Sequence, residues 1–126
     1  MQTITCFDWL TTDEGAVLVS IAHPGEIVLL VYTEGHLEHP SLSLTVPTDS
    51  VAWPMDFACH NLNMSELSTG SVLVTAYCCE EVCMWSVSMD PWQCKVATSF
   101  SVPRLSSLFL LNNLLLATTA DHRLLI

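Results

Sequence analysis

An internal repeat constrains this sequence more than any other feature. Gly15-Ala16-Val17-Leu18-Val19-Ser20 aligns with Gly70-Ser71-Val72-Leu73-Val74-Thr75 and, more loosely, with Asn113-Leu114-Leu115-Leu116-Ala117-Thr118. Each copy is a small turn-forming residue, an apolar run and a hydroxyl, followed by a polar turn and a second apolar run. The first runs begin at residues 16, 71 and 114 and the second runs at 27, 82 and 124, so the inner spacing holds at 11, 11 and 10 while the outer spacing changes from 55 to 43. Fixed inner and variable outer spacing describe a hairpin repeated on loops of unequal length. Short runs rich in Val and bounded by Gly, Pro, Asp and Asn read as strands, because nothing sustains a 3.6-residue period between caps. The spacing therefore predicts strands at Ile4–Trp9, Ala16–Ile21, Ile27–Tyr32, Ser71–Tyr77, Val82–Val87 and Leu114–Thr119. The stretch Leu105–Leu116 has the composition of a helix, and Asn112-Asn113 as a hairpin turn decides for two strands.

Further strand candidates flank each hairpin: Leu42–Val46 after the first, Val51–Cys59 before and Cys94–Phe100 after the second, and Leu105–Leu111 before the third. Gly35–Asp49 and Asn61–Thr69 read as loop insertions. Four strands in about 40–45 residues is the period of one blade of a β-propeller. The expected fold is all-β: about three partly degenerate blades of an incomplete propeller, in units 1–49, 50–103 and 104–126, the last truncated. Three blades do not close a ring. The chain is thus expected to be a fragment or short isoform that leaves an apolar flank at Phe7 and Trp9 and another at Leu105–Leu116, and to be oligomeric or poorly soluble alone. Val17, Val19, Val72, Val74, Leu115 and Ala117 are expected to be equivalent and buried, on the argument that a blade's second strand is covered on both faces.

Of 126 residues, 13 are acidic and 3 basic, a net charge of −10, and 51% are hydrophobic. So apolar a chain needs a packed core and is no acidic disordered tail. Lys95, Arg104 and Arg123 are too few and too scattered to neutralise a run of phosphates or hold an anionic bilayer, which argues against nucleic acid and direct membrane insertion. No apolar run reaches the length of a membrane span, and Met1–Thr12 lacks the basic start and apolar stretch of a signal peptide. The expected location is the cytoplasm, where Cys6, Cys59, Cys78, Cys79, Cys83 and Cys94 are reduced thiols filling a core.

Cys78, Cys79 and Cys83, with Cys59-His60, supply the ligand types of a zinc site, but Val82 and Met84 put Cys83 within a strand and no second spaced pair follows. His23, His36, His39 and His122 fall in expected turns, His60 stands outside any known frame, and there is no nucleophile elbow, zinc-protease helix or phosphate loop. No catalytic residue, metal ligand or cofactor site is assigned, and the chain is expected not to be an enzyme; the alternative is a small β domain binding metal or catalysing through its Cys and His residues. Of Trp9, Trp53, Trp85 and Trp92, Trp85 is expected to pack between sheets, while Trp92, after Asp90-Pro91, is the candidate protein contact.

Val82-Cys83-Met84-Trp85-Ser86-Val87 resembles the third strand of a WD-repeat blade, with Ser86 in place of the Asp, and the segment from Leu115 to Ile126 resembles the second and third strands of another. No Gly-His pair of that pattern is present, and Tyr32 stands where the first unit would carry its Trp. Ile4-Thr5-Cys6-Phe7-Asp8-Trp9-Leu10-Thr11-Thr12-Asp13-Glu14-Gly15 is similar to a segment of the DmX-like proteins, or rabconnectins, scaffold subunits of the RAVE-type complex that promotes vacuolar proton-pump (V-ATPase) assembly. The resemblance implies a non-catalytic protein-interaction scaffold acting in organelle acidification, its partners V-ATPase assembly factors, peripheral to endosomal or vesicle membranes through those partners.

Overall fold

The structure is a computed structural model that describes residues 4–12, 15–33, 36–37, 42–44, 59, 61–68, 71–78, 80–89, 92–111, 114–121 and 123–125. These residues form an all-β fold of three antiparallel sheets, with no helix among them. The first sheet holds Cys6–Thr11 (β1), Val17–His23 (β2), Glu26–Thr33 (β3), His36–Leu37 (β4) and Leu42–Ser43 (β5). The second holds Asn61–Ser68 (β6), Ser71–Cys78 (β7), Glu81–Met89 (β8) and Trp92–Ser101 (β9). The third holds Leu105–Leu111 (β10), Leu114–Thr119 (β11) and Leu124–Leu125 (β12). Each is a meander in chain order, the pairing that tight hairpins produce, except that β5 returns to pair with β3.

The two repeated hairpins close alike. His23 pairs with Glu26 and Cys78 with Glu81, so each turn has two residues. In the first turn Pro24 sets the negative φ of the leading position and Gly25 takes φ 83°, as a type II turn requires. All six strands expected from the spacing form, within one or two residues at their ends.

Two expectations about the linkers need correction. Asn61–Ser68, read as a loop, is β6, and it pairs along the whole of β7. Its polar residues concealed an alternation that buries Leu62 and Met64 on one face. The insertion read over Gly35–Asp49 contributes β4 and β5, both paired to β3: Tyr32 faces Leu37 at one end and Leu29 faces Leu42 at the other. Together they serve as an interrupted fourth strand. Of Val51–Cys59, only Cys59 is among the described residues.

β1 lies against β6 and β6 against β10, so the leading strands of the three sheets are neighbours. Two cores fill the spaces between sheets. Leu18, Ile27, Leu29 and Val31 of the first sheet share a core with Val72, Val74, Trp85 and Val87 of the second. Tyr77 and Val82 of the second share another with Leu108 and Ala117 of the third, together with Val102. Burying each Val or Leu is worth about 1.5–3 kcal/mol. The burial expected for strand two holds for Val72, Val74 and Ala117, whereas Val17, Val19 and Leu115 are half-buried. On β2 it is Leu18, Ser20 and Ala22 that are sealed, because among the described residues only that face of the first sheet meets another sheet.

Candidate interaction face

Because side chains alternate along a strand, each sheet has two faces. On the second strands, one face carries Leu and then a hydroxyl: Leu18 and Ser20 on β2, Leu73 and Thr75 on β7, Leu116 and Thr118 on β11. The opposite face carries Val17 and Val19, Val72 and Val74, Leu115 and Ala117. The first sheet meets the second through its Leu18 face, and the second answers with its Val72 face. The second sheet meets the third from the side of Thr75 and Tyr77, and the third answers with Leu115 and Ala117. Equivalent faces are thus used in the same sense at both contacts: the sheets stack head to tail.

Polar side chains of the leading strands repeat that order. Asp8 on β1 accepts a hydrogen bond from the Met64 amide of β6 at 3.0 Å. Asn63 on β6 donates from Nδ2 to the Leu108 carbonyl of β10 at 3.1 Å. Asp8 stands opposite Ser20 and Asn63 opposite Thr75, so they hold equivalent places. Tyr77 adds a bond from its hydroxyl to the Ser106 carbonyl at 2.9 Å, and burial raises its pKa. The Thr75 hydroxyl, sealed in the same contact, has no hydrogen-bond partner.

Nothing among the described residues covers the Val17–Val19 face of the first sheet. Register aligns Phe7, Ile21 and Val28 across it, then Trp9, Val19 and Leu30, then Thr11, Val17 and Tyr32. Phe7 is 65% and Trp9 62% exposed, and no charged side chain stands within these rows. A continuous apolar face of this kind marks a contact surface. The opposite end of the stack exposes Phe109 and Leu124 on the third sheet. An open depression of about 510 Å³ beside them is lined by Ser106, Thr118, Thr119, Arg123 and Leu124. Arg123 there pairs with Asp121 at 3.4 Å, and no carboxylate or imidazole among the lining residues could act as a base.

Trp92, the candidate contact from the sequence, opens β9 half-buried and packs on the core between the first two sheets, while Trp9 is the most exposed tryptophan among the described residues. Trp85 is fully buried, as expected of a side chain between sheets. Trp53, Cys79, His39, His60 and His122 lie outside the described residues. Contrary to the turns expected for them, His23 ends β2 and His36 lies in β4. Among the described residues no three His, Cys, Asp or Glu side chains converge as a metal site. Cys6 and Cys59 approach to 3.5 Å between sulfurs, and their mutual hydrogen bond lowers the pKa of Cys6 and raises that of Cys59. No helix among the described residues is long and apolar enough to cross a membrane.

No family model and no curated protein matches the chain.

Proposed function

We propose that this chain is a non-catalytic scaffold segment, an arc of β-propeller blades that binds other proteins through an uncovered sheet face. The observation that carries the reading is the three charge-free rows on the first sheet, with Phe7 and Trp9 largely exposed upon them. Its support at the level of fold is the head-to-tail stacking of equivalent meanders with adjacent leading strands, the arrangement by which blades surround an axis. Trp92 is the second proposed contact. From the likeness of Ile4–Gly15 to the DmX-like proteins, the proposed partners are the RAVE-type subunits and the V-ATPase sectors they assemble, met in the cytoplasm at vesicle surfaces.

The test is affinity capture from cytosol on the parent chain, on Phe7→Ser/Trp9→Ser and on Trp92→Ala, with pump-assembly subunits quantified by mass spectrometry. The reading expects these subunits on the parent and at least a tenfold loss on the double variant. Equal recovery on parent and double variant would overturn it.

A further inference from the structure

We propose that two copies of this chain join head to tail, the third sheet of one copy covering the uncovered first-sheet face of the other, so that two arcs of three sheets close a ring of six. The inference rests on the reading of that face as a protein contact and names its occupant in the isolated chain, a second copy that the assembly subunits would displace.

Both contacts inside the chain are made by the same pair of faces, the Leu-hydroxyl face of one sheet on the opposite face of the next. Among the described residues two faces are left over, and they are one of each kind: Val17–Val19 on the first sheet and Leu116–Thr118 on the third. The rule that stacks the sheets within a chain therefore also matches the third sheet of one copy to the first sheet of another. Among the described residues six large apolar side chains are exposed, and four of them, Phe7, Trp9, Phe109 and Leu124, stand on these two faces.

The polar link between leading strands can be extended in the same way. Ser107 on β10 stands opposite Thr118, the place that Asp8 and Asn63 hold in the other sheets. Trp9, opposite Val19, holds the place of Met64 and Leu108, whose backbones receive those links. Ser107 of one copy would thus reach the β1 backbone at Trp9 of the other. A head-to-tail contact that closes gives a ring, and one that does not gives a filament. Six sheets fall within the four to eight blades of closed propellers. First sheet against first sheet would instead pair two like faces, a match found at neither internal contact. The net charge of −10 repels a second copy, so the contact should tighten as salt screens that charge.

Light scattering on the purified chain at tens of micromolar tests the proposal, using Trp9→Lys and Phe109→Glu, each at an exposed site and each checked for strand content by circular dichroism. The parent is expected to be a dimer and each variant alone a monomer. Their equimolar mixture should regain the dimer, since one intact face of each kind survives and the introduced ammonium meets the introduced carboxylate at the other contact. A monomeric parent, a dimer that survives Phe109→Glu, open-ended polymers, or a mixture that stays monomeric would each overturn it. A monomer that still retains pump-assembly subunits through Phe7 and Trp9 would overturn this inference alone. A dimer whose capture of them ignores Phe7 and Trp9 would overturn only the scaffold reading.

Discussion

Cys83 sits fully buried on β8 in the core between the first two sheets, where burial and the nearby Glu81 carboxylate push its thiol pKa up to about 11. In the unfolded chain the same thiol titrates near 9.0. Between these values the unfolded chain loses a proton that the folded chain keeps, so the contribution of Cys83 is complete below pH 9 and falls away as pH rises toward 11. The expected loss is about 2 kcal/mol. Urea unfolding followed from pH 8 to 11 should show that decline, and Cys83→Ala, less stable at pH 8, should show a flatter one; equal slopes would contradict the assignment. The buried state of this thiol was legible in the sequence, because Val82 and Met84 flank it in a strand. The placement of Trp92 was not. It follows Asp-Pro, a turn signal, yet β9 begins at Trp92 and turns its ring toward the core, whereas Trp9 stands exposed on the flank expected at Phe7 and Trp9, and Trp85 is buried between sheets as expected.

Among the elements, β6 best shows where sequence reading falls short. Its neighbours β7 and β8 are apolar runs that declare themselves, while Asn61-Leu62-Asn63-Met64-Ser65-Glu66 alternates on a polar background that resembles a loop. The repeat itself held the clue, because Asn63 follows Asp8 by the same 55 residues that separate the first two hairpins. Both residues link one leading strand to the next, but with opposite polarity. Asp8 accepts from an amide and Asn63 donates to a carbonyl. Asp8→Asn keeps an acceptor and should cost little, while Asp8→Ala strands the Met64 amide and should cost about 1–3 kcal/mol. At the other link the order reverses. Asn63→Asp sets a carboxylate against the Leu108 carbonyl and should destabilise more than Asn63→Ala, at about 1 kcal/mol. Denaturant midpoints of the four variants check the ranking, and an Asp8→Asn as damaging as Asp8→Ala would refute the link.

At the scale of the molecule, the hairpin spacing was enough for an all-β fold and three antiparallel units, but not for which side of each strand is inside. Continuous apolar runs conceal parity: Ala16 to Val19 and Ser71 to Val74 read alike, and both suggest strands covered on both faces. Stacking makes them differ. Val74 is sealed against the first sheet, while its repeat equivalent Val19 stands on the face that nothing among the described residues covers. Head-to-tail order therefore makes equivalent residues unequal in energy at the end of the stack, which a repeat alignment by itself denies. The most direct measurement is urea unfolding of Val19→Lys and Val74→Lys at concentrations low enough for a single copy. The account predicts that Val19→Lys stays within about 1 kcal/mol of the parent, its ammonium reaching water from a half-buried stem. Val74→Lys should lose more than about 3 kcal/mol or fail to fold, because the charge is buried without a partner. Equal losses at the two positions would contradict the head-to-tail stack.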